Sequence, residues 1–152
     1  MAYEHTLVAV SKSQESIRRL ILDNGGSGIA FISQPPMEGF EAVVRIDNAS
    51  YRIRISAEVK VVEKRRRRRY GIYKPQSQIQ DDAARRVWRV LFFYLKNVYE
   101  ASNSGVMDFR QLVMPYVVTR DNKTISEHIL PKLESAIQGN PERMLPAPKD
   151  HA

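Results

Sequence analysis

The side chains best suited to chemistry in this sequence are the six consecutive basic residues 64–69, one lysine followed by five arginines. The planar guanidinium of arginine presents a fork of donors that pairs with two phosphate oxygens at once. The single adjacent carboxylate, Glu63, cannot neutralise six positive charges. The run therefore predicts a site for a polyanion. We expect a nucleic acid there, and the alternatives are an acidic protein partner and a solvated loop.

The distribution of charge supports this prediction. The 152-residue chain has a formal net charge of +7, from 24 Lys and Arg against 17 Asp and Glu. Residues 1–58 and residues 97–152 each carry six basic and seven acidic side chains, whereas residues 59–96 carry twelve basic and three acidic ones. A charge concentrated in one quarter of the chain creates a local potential that attracts a polyanion.

A second basic group follows on a predicted helix. Basic and aromatic side chains fall on one stripe of that helix at steps of 4, 3, 4 and 3: Arg85, Arg89, Phe92, Lys96 and Tyr99. Such a combination follows a phosphate backbone and offers rings on which bases stack. The alternative is that the two aromatic rings belong to the edge of the core, with the basic stems extended around them.

The predicted nucleic-acid-binding residues combine the run, the helix stripe and the exposed side of a predicted hairpin. They are Lys64, Arg65, Arg66, Arg67, Arg68, Arg69, Tyr70, Arg85, Arg89, Phe92, Lys96, Arg52 and Arg54. We expect the run to supply electrostatic attraction and the helix to supply positioning contacts. Phe92, Tyr99 and Tyr70 are the expected stacking rings.

Catalytic and metal-binding patterns are weak in this sequence. There is no cysteine, which excludes a thiolate metal site and a cysteine nucleophile, and the three histidines have no ligand spacing. Asp81 and Asp82 fall in the first turns of a predicted helix, where its dipole favours negative charge. We therefore expect no catalytic residue, no metal and no cofactor. The remaining enzyme alternative is an unrecognised metal-dependent nuclease around Asp81, Asp82 and Glu100.

The first 58 residues predict a β-α-β-β-β unit. Residues 4–10 favour a first strand, and Ser11 and Ser13 offer N-cap chemistry to a helix that ends at Gly25-Gly26. Residues 28–33 favour a buried strand. Two segments that alternate apolar and polar residues, 41–46 and 51–55, flank an Asp-Asn turn and predict an antiparallel hairpin with one apolar face.

The rest of the chain predicts a layer of about three helices. Apolar residues from Ala84 through Trp88 to Val98 form one continuous seam, which predicts a central helix over 78–102 with a broad buried face that includes Val90. A short helix is expected over 108–116. Thr124 predicts a capping box for the last helix, in which Pro131 predicts a kink or an early break. The predicted fold class is thus α+β, with the small antiparallel sheet packed on the helices.

The expected organisation is one domain over 1–138 with a basic connection at 60–77, followed by a flexible tail over 139–152. The longest apolar run, residues 90–95, is far short of the ~20 residues that span a bilayer. The start of the chain has neither the basic nor the apolar part of a signal peptide. We therefore expect a cytoplasmic protein without membrane contact.

Several short segments occur in a recognisable order: Ser13-Gln14-Glu15-Ser16-Ile17-Arg18-Arg19-Leu20, Tyr51-Arg52-Ile53, Arg65 to Arg69, Trp88-Arg89 and Thr124. Over residues 10–140 this order resembles a family of small uncharacterised proteins of phages and other mobile elements. The resemblance implies mobile-element biology and no reaction. Together with the charge, it predicts a non-catalytic nucleic-acid-binding accessory protein. The first alternative is a protein-binding inhibitor or modulator of a host complex, such as a defence or nucleoprotein complex.

Overall fold

The computed structural model describes Tyr3, residues 6–61 and residues 75–137. The elements in chain order are α1 (Val10–Asp23), β1 (Ser27–Gln34), β2 (Met37–Ile46), β3 (Ala49–Glu58), α2 (Gln76–Asn103), α3 (Phe109–Val113) and α4 (Ile125–Ile137), with a 3-10 turn at Met114–Tyr116. The predicted α+β class is confirmed. Within these residues, every helix is too short or too polar to cross a membrane.

The N-terminal segment differs from the prediction. Residues 6–9 form no strand, and α1 begins at Val10, so the first strand predicted over 4–10 is wrong and the unit is α-β-β-β. Leu7 is 89% exposed, so its side chain does not pack against the sheet. The expected serine caps are also wrong, because the N-cap is Ala9 and Ser13 is buried inside the helix.

The end of α1 follows the prediction. Gly25 has a φ of 80°, a left-handed conformation that glycine adopts without a side-chain clash. The amide of Gly26 donates to the carbonyl of Ile21 at 2.9 Å, and the amide of Gly25 donates to that of Leu22 at 3.1 Å. This is the Schellman arrangement, which satisfies the last carbonyls of a helix and turns the chain into β1.

The three strands form one antiparallel sheet in the order β1-β2-β3. The predicted hairpin is confirmed as β2 and β3, which pair Ala42 with Ile53 and Phe40 with Ile55. These four side chains are buried, because alternate residues of each strand face the helices. The strand predicted over 28–33 is present as β1, which pairs with the other side of β2. Its residues are at most half-buried, so the predicted burial of this strand is wrong.

The predicted central helix is confirmed as α2. Trp88, Leu91, Leu95 and Val98 are buried along its seam and pack in one core with the apolar face of the sheet. The buried face is narrower than predicted, because Val90 is 47% exposed. α1 packs along α2, and the Asn103 side chain donates to Asn24 Oδ1 at 3.1 Å where the two helices end.

The C-terminal helices also follow the sequence. The carboxylate of Asp108 caps α3 by accepting from the Arg110 amide at 2.8 Å. In the capping box of α4, the Thr124 amide donates to Glu127 Oε2 at 2.6 Å and the Glu127 amide donates to Thr124 Oγ1 at 3.3 Å. The early break predicted at Pro131 is wrong, since α4 continues to Ile137. The predicted tail over 139–152 lies outside the described residues.

Candidate nucleic-acid interface

The arginine run joins two elements whose ends are described. Lys64 to Tyr70 themselves lie outside the described residues. On one side, β3 ends beside the turn between β1 and β2, where the Val59 amide donates to the Pro36 carbonyl at 2.7 Å. On the other side, Pro75 is the N-cap of α2. The run is therefore covalently anchored between this end of the sheet and the first turn of the long helix.

A buried carboxylate fixes α2 against the same end of the sheet. Glu38, in β2, is only 9% exposed. Its two oxygens accept from Trp88 Nε1 at 2.9 Å and from Ser33 Oγ at 2.8 Å. Hydrogen bonds to a charged group are among the stronger ones in a protein. They hold the part of α2 that carries Arg85 and Arg89. No sequence pattern predicts this network.

Each basic residue of the predicted helix stripe has an intramolecular partner. Arg85 Nη1 lies 3.8 Å from Asp82 Oδ1, and Lys96 Nζ lies 3.6 Å from Glu100 Oε1. The Arg89 guanidinium lies 5.0 Å from the centre of the Phe92 ring. Exposed ion pairs of this kind contribute little free energy. A phosphate can therefore replace the carboxylate partners at low cost.

Two expected stacking rings are less accessible than the sequence indicated. Tyr99 is only 6% exposed and stacks on Phe109 with ring centroids 5.0 Å apart, and its burial raises the pKa of its phenol to about 12. The expectation that Tyr99 offers a stacking surface is therefore wrong, because its ring belongs to the buried core and packs against Phe109 of α3. Phe92 is half-buried against the core, with Arg89 over its ring.

The structure adds one aromatic ring that the sequence prediction missed. Phe93 stacks on Tyr3 with ring centroids 4.9 Å apart, and the Arg89 guanidinium lies 4.7 Å from the centre of the Phe93 ring. Arg89 thus contacts two adjacent rings. The available signal was the spacing of four residues between Arg89 and Phe93, which places both on one side of a helix.

Arg52 and Arg54 lie on a different surface. Ile53 and Ile55 face the helices, so the arginines beside them in β3 face the opposite side of the sheet. Arg54 donates to Glu41 Oε1 at 2.6 Å, and both arginines donate to Asn122 Oδ1, at 2.6 Å from Arg52 and 2.9 Å from Arg54. The structure therefore does not bring these two residues together with Arg85, Arg89 and Lys96.

The carboxylates of the nuclease alternative are far apart. Asp82 and Glu100 are eighteen residues apart on the continuous helix α2, about 27 Å at 1.5 Å per residue. One metal centre cannot use both, so the structure does not bring together the three carboxylates of the nuclease alternative, Asp81, Asp82 and Glu100. In the parts of the chain that the structure describes, no group of three or more His, Asp or Glu side chains is placed to hold a metal ion.

A small polar network lies on the loop before α4. Asp121 accepts from Thr119 Oγ1, and its Oδ2 lies 3.0 Å from His128 Nε2. These hydrogen bonds, that of Thr119 above all, lower the pKa of Asp121 to about 2. Thr119 Oγ1 and Asp121 Oδ1 each lie 3.2 Å from the same nitrogen, His128 Nε2. The histidine therefore cannot relay a proton between them through its two nitrogens, and the network is not a catalytic triad.

Known proteins supply no further evidence about this interface. No protein-family model, no curated protein and no solved structure matches this chain.

Proposed function

We propose that this chain is a non-catalytic nucleic-acid-binding accessory protein that contacts mainly phosphate through residues 59–96. One observation carries the proposal: these residues hold twelve basic and three acidic side chains, while each flanking part of the chain has a net charge of −1. The resemblance of the sequence to proteins of phages and mobile elements supports an accessory role in such an element.

The fold supports different roles for the arginine run and for the arginines of α2. The run 64–69 carries six positive charges and precedes α2 in the sequence. Arg85, Arg86 and Arg89 lie in the N-terminal half of α2 and are half-buried, as expected of side chains whose apolar stems pack on the helix surface. The run attracts the phosphate backbone over a distance, and the helix arginines fix where the backbone lies.

Arg52 and Arg54 have a smaller part in this proposal than the sequence suggested. Their guanidinium donors are engaged by Glu41 and Asn122 on the far side of the sheet. We therefore place the interface on residues 59–96 alone. Phe93 joins Phe92 as a candidate ring beside Arg89.

A charge-matched pair of variants tests the proposal. One variant replaces Arg66, Arg67 and Arg68 by glutamine. The other replaces three exposed basic residues by glutamine: Arg120, Lys123 and Lys132. Both lose three charges. Binding to a labelled mixed-sequence oligonucleotide at 0.1 M salt is then measured by fluorescence anisotropy. With a slope of about 0.9 per contact, each phosphate contact raises the affinity at 0.1 M salt roughly eightfold over its value at 1 M salt.

We expect the first variant to bind roughly a hundredfold or more weakly than the parent, and the second to bind within about threefold of it. Equal losses in the two variants would contradict a localised interface. No binding by the parent chain, together with capture of an acidic protein, would favour the alternative of a protein-binding modulator.

A further inference from the structure

The two edges of the sheet differ in their protection. β3 carries Arg52, Arg54 and Glu58, and it is partly covered, since the Val118 amide donates to the Arg52 carbonyl at 2.8 Å. β1 has the sequence SGIAFISQ, without a charged residue. Apart from its pairing with β2, no backbone group in the described parts of the chain bonds to it. Soluble proteins usually protect such an edge with charge, proline or a covering segment.

The register shows which backbone groups of β1 are open. In an antiparallel pair, alternate residues direct both their N–H and C=O groups to the partner strand. The two-residue turn at 35–36 makes Gln34 and Met37 a hydrogen-bonded pair, so Gln34, Ile32 and Ala30 bond to β2. The same rule applied to β3 directs the Arg52 carbonyl outward, where it accepts from Val118. By this rule Ile29, Phe31 and Ser33 direct three N–H and three C=O groups away from the sheet.

We propose that the open edge of β1 pairs with β1 of a second copy of this chain, antiparallel and centred on Phe31. This register places Phe31 opposite Phe31 of the other copy and Ile29 opposite Ser33. It satisfies all six open groups of each copy in six hydrogen bonds and joins two three-stranded sheets into one of six strands. The interface is two-fold symmetric, which is the commonest arrangement of soluble homo-oligomers.

The side chains along the edge favour a copy of the same strand over a charged partner. The proposed register places no like charges opposite each other, because β1 carries none. On the outer face it brings Ala30 beside Ile32 of the other copy in a close pair, with Cα atoms ~4.5 Å apart. On the helix side, the Phe31 ring packs edge-on against Trp88 with ring centroids 5.6 Å apart. The Arg18 guanidinium lies over the Phe31 ring and is paired with Glu15.

Gly28 and Pro35 limit the pairing to the centre of the strand. The register of β1 with β2 shifts between Ser27 and Ile29, where Gly28 has a φ of 66°. Pro35 begins the turn at the other end. Bulges and prolines of this kind stop edge pairing. Only residues 29–33 remain available, which suits a reversible dimer and not an open-ended sheet.

Backbone amide hydrogen exchange combined with sedimentation tests the proposal on the full chain. The buffer is free of nucleic acid and at 0.5 M salt, so the result does not depend on the proposed function. We expect a monomer–dimer equilibrium, with the amides of Ile29, Phe31 and Ser33 protected at high concentration and released on dilution. The amides of Ala30 and Ile32 are expected to be protected at every concentration.

A matched pair of lysine substitutions tests the register. Ala30→Lys places a charge beside Ile32 of the other copy, and Ser56→Lys places the same charge at an exposed position on the other edge strand. We expect Ala30→Lys to weaken dimerisation at least tenfold and Ser56→Lys to leave it within twofold. A monomer at every concentration, a dimer that both variants weaken equally, or a dimer with freely exchanging amides at Ile29, Phe31 and Ser33 would each overturn the proposal.

Discussion

Replacing Trp88 by alanine tests how strongly the core holds α2 against the sheet. Trp88 is fully buried, packs edge-on against Phe31 and donates a hydrogen bond to the buried carboxylate of Glu38. Truncating a buried tryptophan to alanine costs ~3–5 kcal/mol through lost burial and the cavity that remains. The carboxylate also loses one of its two donors, and a hydrogen bond to a charged group contributes about 1.5–3 kcal/mol. We therefore expect a loss at or above the upper end of the first range.

The assay is equilibrium denaturation followed by circular dichroism, because Trp88 is the only tryptophan and its fluorescence disappears with the substitution. Val90→Ala is the matched control, since Val90 is 47% exposed two residues away on the same helix, and we expect a change within about 0.5 kcal/mol. Trp88→Phe separates the two contributions, because it retains a ring but removes the donor. A Trp88→Ala loss below about 1.5 kcal/mol would refute the role assigned to this residue.

Three further changes test the core, the loop before α4 and the predicted stacking ring. Tyr99→Phe removes a buried hydroxyl that has no hydrogen-bond partner among the described residues, so we expect thermal stability at pH 7 to be unchanged or higher. Because burial raises the pKa of Tyr99 to about 12, the parent should lose stability as pH rises from about 10 to 12, and the variant should lose less. Asp121→Asn should lower stability at pH 7 and flatten its decline between about pH 4 and 2, since the folded-state pKa of Asp121 lies near 2. Phe92→Ala should lower the free energy of unfolding by about half of the 3–5 kcal/mol lost at a fully buried phenylalanine, because the ring is only half-buried against the core. An unchanged stability with weaker single-strand binding would instead assign the ring to base stacking.

The sequence was most informative where one side of an element meets the core. The period of α2 and the alternation of β2 and β3 arise from burial on one face, so residues such as Leu95 and Ile53 could be assigned in advance. The roles of Thr124 as a helix cap and of Gly25 at a helix end are also predictable, because both depend on the local sequence. The strand predicted at residues 6–9 is absent, although their apolar, β-branched composition is typical of a strand. A strand also needs a partner edge, which composition does not encode.

The interface was less predictable because exposure of a stripe depends on the neighbouring helix. A helical wheel places Arg89 and Tyr99 on one stripe, but only the tertiary packing, such as that of Phe109 on Tyr99, decides which side chain is enclosed. The alternation of β3 predicts Arg52 and Arg54 on the exposed side of the hairpin, but it does not show that this side faces away from the helix that carries Arg85 and Arg89. Glu38 was missed because a single glutamate in a strand gives no sign of the tryptophan, fifty positions later, that it binds.

The most direct test of the central claim is the salt dependence of nucleic-acid binding by the full chain. Affinity for a mixed-sequence oligonucleotide is measured from about 0.05 to 0.3 M salt. With six to nine phosphate contacts, the slope of log affinity against log salt should be roughly 4 to 8 in magnitude. Replacing Arg66, Arg67 and Arg68 should lower it by about 2–3. A slope near zero, no binding at low salt, or a slope that these three substitutions leave unchanged would contradict the account.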